Sequence, residues 1–383
     1  MHYYFAPMEG VTGAVYRRTH HEFFSGVDKY FMPFITPTTN EKLTPRQKRD
    51  VLPEYNEGVP AVPQLLTKSA ADCIWAVNAL HDLGYPEVNL NLGCPSGTVT
   101  AKGKGAGFLA HPDELDRFFD EVFAKCEGIS VKTRLGVHEA SEFDKLLEIY
   151  NRYPITELTI HPRVRQDFYK GRVREADFAA ALPRCSMPVC YNGDLITERD
   201  VSAVSERYPD LPAVMIGRAL IADPSLVARL TGGKAADAKT LETFHDTLFM
   251  RYCEAFGDSR IAMLRMKEIW FYHLNLFENS EKPGKAIKKA KNAAEFQSAA
   301  AAVFRNCRVR ANAVPQYTMR MAEPMPVMMP EIVPANGAPK KGVARSSSDP
   351  THESTAPMQS SLRDVYSFKK RWSVAAMNSM ANM

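Results

Sequence analysis

Short apolar runs of strand length alternate along this chain with longer stretches whose apolar residues recur at helical spacing. Residues 3–8 read as a strand, and Thr12 is placed to cap a helix running to residue 25. Residues 29–35 and 61–66 read as the second and third strands, with a short helix near 45–51 between them and Gln64 inside an otherwise apolar run. Ser69 caps an amphipathic helix to residue 83. Residues 88–92 run Val, Asn, Leu, Asn, Leu, an alternation that stops at Gly93-Cys94-Pro95. Helices over 111–126, 141–152 and 197–207 then alternate with strands over 129–135, 155–161, 188–192 and 213–216. About eight strand signals alternating with helix signals over roughly 230 residues predict a (β/α)8 TIM barrel. From residue 241 the spacing is helical alone, over 244–255, 261–277 and 293–304. After residue 310 the periodicity is lost, and Met, Pro, Ser and Lys dominate a segment too poor in apolar surface to order itself. The expected layout is an α/β barrel over residues 1–238, a small all-helical domain over 239–306 and a disordered tail over 307–383.

The break after residue 92 places a thiol at the tip of a strand. Pro95 forbids a ladder bond, and Gly93 and Gly97 loosen the chain on either side. The run that follows, with Lys102, Gly103, Lys104, Gly105 and Gly107, reads as too glycine-rich for a helix and as a mobile loop. Most free cysteines are small buried hydrophobes, but one held on a loop by a rigid scaffold is placed for chemistry. Met8, Gln64, Asn91, Lys132, His161, Asn192 and Gly217 also fall at or near C-terminal ends of strands. In a barrel of this kind those ends build the active site. Any one of these residues alone reads as a satisfied core polar group; their joint placement does not.

Composition narrows the class. The 383 residues are 45% hydrophobic, enough for a proper core, and no run is long and apolar enough to span a membrane. The opening Met1-His2-Tyr3-Tyr4-Phe5 enters a strand at once, so no signal peptide is expected. Seven scattered cysteines give no disulfide framework and no metal-ligand spacing, which points to a reducing cytoplasm and no metal. A net charge of +4 permits a nucleic-acid partner without requiring one. Lys282, Lys285, Lys288, Lys289 and Lys291 crowd one helical approach, either as a solvated face or as an RNA contact.

Six short motifs resemble those of the tRNA-dihydrouridine synthases, in that family's order. Ala6-Pro7-Met8-Glu9-Gly10 is similar to the family's opening flavin contact, and Asn91-Leu92-Gly93-Cys94-Pro95 to its catalytic-cysteine signature. Val131-Lys132-Thr133-Arg134-Leu135-Gly136, His161-Pro162-Arg163 with Tyr169-Lys170-Gly171, Asn192-Gly193-Asp194 and Gly217-Arg218 follow. The resemblance covers residues 3–304. Pro162 departs from it, since the family more often has Gly there, and it stiffens the approach to Arg163.

The resemblance implies FMN in the barrel mouth, NADPH as electron donor and uridine in tRNA as substrate. It implies cofactor contacts from Pro7, Met8, Glu9, Gln64, Lys132, His161, Asn192, Gly193, Asp194, Gly217 and Arg218. Asn192-Gly193 and Gly217-Arg218 suit a phosphate, which takes backbone N–H donors and positive charge at a helix N-terminus. Cys94 is the expected proton donor, and Asn91, Lys102, Arg134, Arg163, Lys285 and Lys288 the expected substrate contacts. The reaction class is reduction of the C5=C6 double bond of uridine to CH–CH, and a monomer is expected. Two other readings stay open: an FMN barrel acting on a small pyrimidine, and a non-catalytic tRNA-binding protein on the same scaffold.

Overall fold

The computed structural model describes residues 1–313. The strands are β1 (His2–Phe5), β2 (Lys29–Phe31), β3 (Ala61–Val62), β4 (Gln64–Leu65), β5 (Val88–Leu92), β6 (Ile129–Gly136), β7 (Leu158–Val164), β8 (Val189–Tyr191) and β9 (Ala213–Ile216). They form one parallel sheet in the order β3-β2-β1-β9-β8-β7-β6-β5-β4. The two ends of that order, β3 and β4, are halves of a single run interrupted by Pro63, which has no N–H to give a ladder. Ile35, beyond β2, bridges to Leu65 and completes the ring through Ile35 N to Gln64 O at 2.7 Å. The expected third strand is thus two short pieces, and the barrel closes across the joint.

Alternation within the strands separates two cores. Tyr4, Ala6, Phe31, Val62, Cys190, Ala213 and Met215 point inward and fill the barrel. Phe5, Leu90, Leu92, Val131 and Ile160 point outward and meet the helices. Polar groups close the N-terminal end of the barrel: Tyr4 Oη donates to Glu157 at 2.8 Å, and Lys29 Nζ to Glu87 at 2.7 Å.

The helices of the barrel region are α1 (Ala14–Phe23), α2 (Pro45–Val51), α3 (Ala70–Asp82), α4 (Gly97–Thr100), α5 (Pro112–Phe123), α6 (Glu142–Tyr150), α7 (Glu175–Ala181), α8 (Glu198–Arg207), α9 (Arg218–Ala222) and α10 (Leu226–Leu230). Side-chain caps fix several starts. Ser69 accepts from Asp72 N, and Thr44 and Thr197 form reciprocal capping boxes with Gln47 and Asp200. Then come α11 (Ala238–Phe256), α12 (Ser259–His273), α13 (Glu281–Lys289) and α14 (Ala293–Asn306), packed around Trp270, Phe296 and Phe304. Phe244 of α11 seats against Phe23 and Phe24 of the α1 region, and Arg251 donates to Glu22 at 2.6 Å and to Thr19 at 3.0 Å.

Thr12 does not cap α1: its Oγ1 accepts from Met8 N at 2.8 Å, and the helix starts after Gly13 with no side-chain cap. Three further local expectations change. The glycine-rich run after Cys94 carries a helical turn (α4) and a 3-10 segment over Gly105–Ala110. Its glycines serve close packing: a Cβ on Gly105 would stand 2.9 Å from Cys94 O, and one on Gly107 would stand 2.8 Å from Thr100 Cα. Pro162 lies inside β7, where the register against β6 shifts between Arg134 and Gly136, so it occupies a bulge in a strand and not a loop. Finally, the segment assigned to the tail begins in order: Val309 bridges to Phe277, and Arg310 N donates to Leu276 O at 2.8 Å. The rest of the tail, from residue 314, lies outside the described residues.

Candidate active site

A cleft of about 220 Å³ opens at the C-terminal ends of the strands. The thiol of Cys94 reaches it because β5 stops at Leu92 and the chain turns on Asn91. Asn91 is an inward residue, and its Oδ1 accepts from Gly93 N at 3.1 Å and Cys94 N at 2.9 Å. From the next strand, Arg134 Nε donates to Gly93 O at 2.8 Å, and Ala106 N donates to Cys94 O at 3.0 Å. The backbone on both sides of the thiol is therefore held. Burial pushes the Cys94 thiol up from its ordinary range, outweighing the Ser96 N–H and the Arg134 and Lys132 charges that pull it down. At neutral pH it is a protonated acid, not a thiolate.

Behind Asn91 runs a row of amides. Asn91 Nδ2 donates to Gln64 Oε1, Gln64 Nε2 to Asn89 Oδ1, and Asn89 Nδ2 to Ser130 Oγ, each at 2.8 Å. The strand register explains it, since Gln64, Asn89 and Ser130 are opposed residues on β4, β5 and β6. All of these side chains are buried.

The opposite wall is cationic. Lys132 Nζ donates to Asn192 Oδ1 at 2.7 Å, and Asn192 is oriented by its own bond to Met215 O. Burial, with Arg134 close by, lowers the Lys132 ammonium to about 8. Arg163 is fully buried and binds Asp194 and Gly171 O, and Arg218 reaches Asp194 at 3.3 Å from the other side. Arg163 also donates to His161 Nε2 at 3.0 Å, which leaves the ring hydrogen on Nδ1. Burial and the charges of Arg134, Lys132, Arg163 and Arg218 hold His161 well below its usual range, so it is neutral. Tyr169 lies between two guanidinium groups, with Arg134 and Arg218 each 5.2 Å from its ring centre.

The cleft gathers most of the residues read from the sequence. Pro7, Met8, Glu9, Gln64, Asn91, Cys94, Lys132, Arg134, His161, Asn192, Gly193, Asp194, Gly217 and Arg218 all line it. Arg163 stands behind the wall as the support of Asp194. Lys102, Lys285 and Lys288 are exposed and lie away from the cleft lining. Gly217 directly precedes α9, whereas Asn192 and Gly193 are separated from the start of α8 by a loop. Several lining residues escaped the sequence reading, among them Pro33, Phe34 and two tyrosines. Tyr169 was visible only as part of a motif, and Tyr272 comes from α12, where nothing in helical periodicity marks a residue that reaches the barrel cleft.

Fold and site together define a (β/α)8 barrel with a protonated thiol and a cluster of buried and half-buried cations at its mouth. The sequence model of the dihydrouridine synthase family matches residues 4–313, and the chain belongs to that family. It is similar to a protein of Rhodobacter capsulatus described as a probable tRNA-dihydrouridine synthase, 29% identical over 238 residues, spanning 60% of this chain and 72% of that one. It is also similar to the tRNA-dihydrouridine(16) synthase of Cupriavidus necator, 29% identical over 293 residues, spanning 70% of this chain and 88% of that one. Among solved structures, morphinone reductase overlaps 62% of this chain and 87% of its own at 13% identity and a TM-score of 0.45.

Proposed function

We propose that the protein reduces uridine in tRNA to 5,6-dihydrouridine, with FMN in the cleft, NADPH as electron donor and Cys94 as the acid. The observation that carries this reading is a half-buried, protonated thiol fixed at the rim of a cationic cleft. The donor set suits a flavin mononucleotide. Pro7 and Met8 offer an apolar wall, and Gln64 keeps one N–H beyond its bond to Asn89. Lys132, Arg134 and Arg218 offer positive charge, and a Cβ on Gly193 would stand 2.8 Å from Val173 Cγ1, so a larger residue there would press on Val173. FMN bound there supplies the hydride that adds to C6 of uracil.

The chain's own residues do the rest. Cys94 gives its Sγ hydrogen to C5, and the thiolate left behind is stabilised by Arg134 and Lys132 until solvent returns the proton. Asn91 and Arg134 hold the cysteine backbone during that transfer. Neutral His161, with Nδ1–H as donor, suits a uracil carbonyl or a cofactor oxygen. The target base must leave its stack to enter a cleft of this kind, at about a few kcal/mol. Lys285, Lys288 and Lys289, exposed on α13, would contribute phosphate contacts toward that energy.

The test uses Cys94→Ala. Flavin reduction by NADPH should stay close to wild type, while reoxidation by unmodified tRNA should fall by about 10²- to 10⁴-fold, the usual worth of a general acid. Mass spectrometry of digested tRNA reads the product and the position modified. A Cys94→Ala protein that forms dihydrouridine at the wild-type rate would remove Cys94 from this role. Turnover of free uracil but not of tRNA would favour the small-pyrimidine reading.

A further inference from the structure

The row of amides behind the cysteine has only one self-consistent direction. The N–H groups of Gly93 and Cys94 can only donate, so the Asn91 atom facing them, at 3.1 and 2.9 Å, must be Oδ1. Asn91 then presents Nδ2 to Gln64, which must answer with Oε1. Gln64 is left to present Nε2 to Asn89, and Asn89 must answer with Oδ1 and turn Nδ2 toward Ser130. The loop backbone thus dictates the orientation of three side-chain amides in succession. The coupling runs equally in reverse: turning Asn89 over would set Nδ2 against Gln64 Nε2, two donors with no acceptor between them.

We infer that Asn89, backed by Ser130, is a positioning residue that holds Cys94 and the cleft face of Gln64 in register through this relay. Neither Asn89 nor Ser130 lines the cleft, so neither touches a substrate or cofactor there. Both are almost completely buried, where an unpaired amide is expensive and a second arrangement has no water to support it. The relay also joins the two partners of the proposed reaction. Gln64 faces the cleft wall, Asn91 holds the loop of the acid, and Asn89 sets the first of these against the second. This inference rests on the assignment of Cys94 as the acid, but the first measurement of its test does not depend on turnover.

Asn89→Leu keeps the approximate volume and removes both polar atoms. Asn89→Asp is the conservative variant: ionised or protonated, it still offers Gln64 an acceptor, and Ser130 can donate to or accept from the other oxygen. The first measurement is alkylation of the purified protein by iodoacetamide, followed by digestion and mass spectrometry, with the Cys94 peptide scored against half-buried Cys185 in the same digest. The Cys94/Cys185 labelling ratio should change severalfold in Asn89→Leu, since the turn is no longer pinned, and return to within about twofold of wild type in Asn89→Asp. The second measurement is steady-state dihydrouridine formation. Here kcat should fall about tenfold in Asn89→Leu with KM for tRNA unchanged, the scale of one lost buried hydrogen bond. Ser130→Ala, which removes only the end of the relay, should shift both readouts in the same direction by less, and it replaces Asn89→Leu if that variant does not fold. Equal behaviour of Asn89→Leu and Asn89→Asp, or an unchanged Cys94 labelling ratio in both Asn89→Leu and Ser130→Ala, would overturn the inference. If the wild type itself made no dihydrouridine, the proposed function would fail while the labelling arm still judged the relay.

Discussion

Lys132 sits where its charge is held against its surroundings. Burial and the nearby Arg134 lower its ammonium from 10.5 to about 8, so it loses its proton within an accessible pH range. If its charge faces the cofactor, FMN affinity should fall as pH rises through about 8. Lys132→Met should bind FMN more weakly at pH 7 and lose this dependence, as read by fluorescence titration. The linkage to stability has the opposite sign. Between pH 8 and 10.5 the unfolded chain holds a proton that the folded apoprotein does not, so this residue makes stability increase with pH across that window. Its destabilising effect is fully present below pH 8. A denaturation series on apoprotein should show an upward slope there that Lys132→Met lacks.

At the scale of elements, the segment after Cys94 has the most to lose from one methyl group. Gly107→Ala would place a Cβ 2.8 Å from both Cα and O of Thr100, backbone atoms that cannot swing aside. Overpacking of this kind costs about 1–3 kcal/mol, which urea denaturation would resolve. The strain falls on the piece that supports Cys94 O, so dihydrouridine formation should suffer more than FMN binding. The same segment shows where sequence pattern fails. Glycine spacing there looked like freedom, and only the three-dimensional neighbours of Gly105 and Gly107 show it to be fit. The strands were readable because each is a short apolar run bounded by turn residues, and the motifs at their ends therefore landed in one cleft. Helix α13 was obscured by Pro283 and Gly284 in its first turn; a Cβ on the glycine would stand 2.9 Å from Leu274 Cδ1. Helix α7 was missed because only Phe178 and Ala181 of its seven residues are buried, too few to show a period. The part of Arg163 was likewise hidden, since its motif announces an arginine but not the carboxylate of Asp194 that occupies it.

At the largest scale, barrel and helical region share one packed unit among the described residues. Tyr252 Oη reaches Val11 O at 3.4 Å, and Tyr272 lines the cleft, so an RNA held on α13 lies on the same body as the thiol. Charge reversal at Lys285, Lys288 and Lys289 should weaken tRNA binding and reduce the slope of log affinity against log salt by roughly 0.7–0.9 for each phosphate left unneutralised. Flavin reduction by NADPH should not change, because these exposed side chains do not line the cleft. An unaltered salt slope would mark the lysines as a solvated face.

Ring closure sets a timetable for synthesis. The first strand, His2–Phe5, finds one of its two neighbours only in Ala213–Ile216. At ribosomal rates of ~5–20 residues per second, about 10 to 40 s separate the emergence of these partners. Throughout that interval the nascent chain displays an unpaired edge bearing Tyr4 and Phe5, both buried once folding is complete. The newborn protein therefore depends on whatever shields that edge until its late partner arrives.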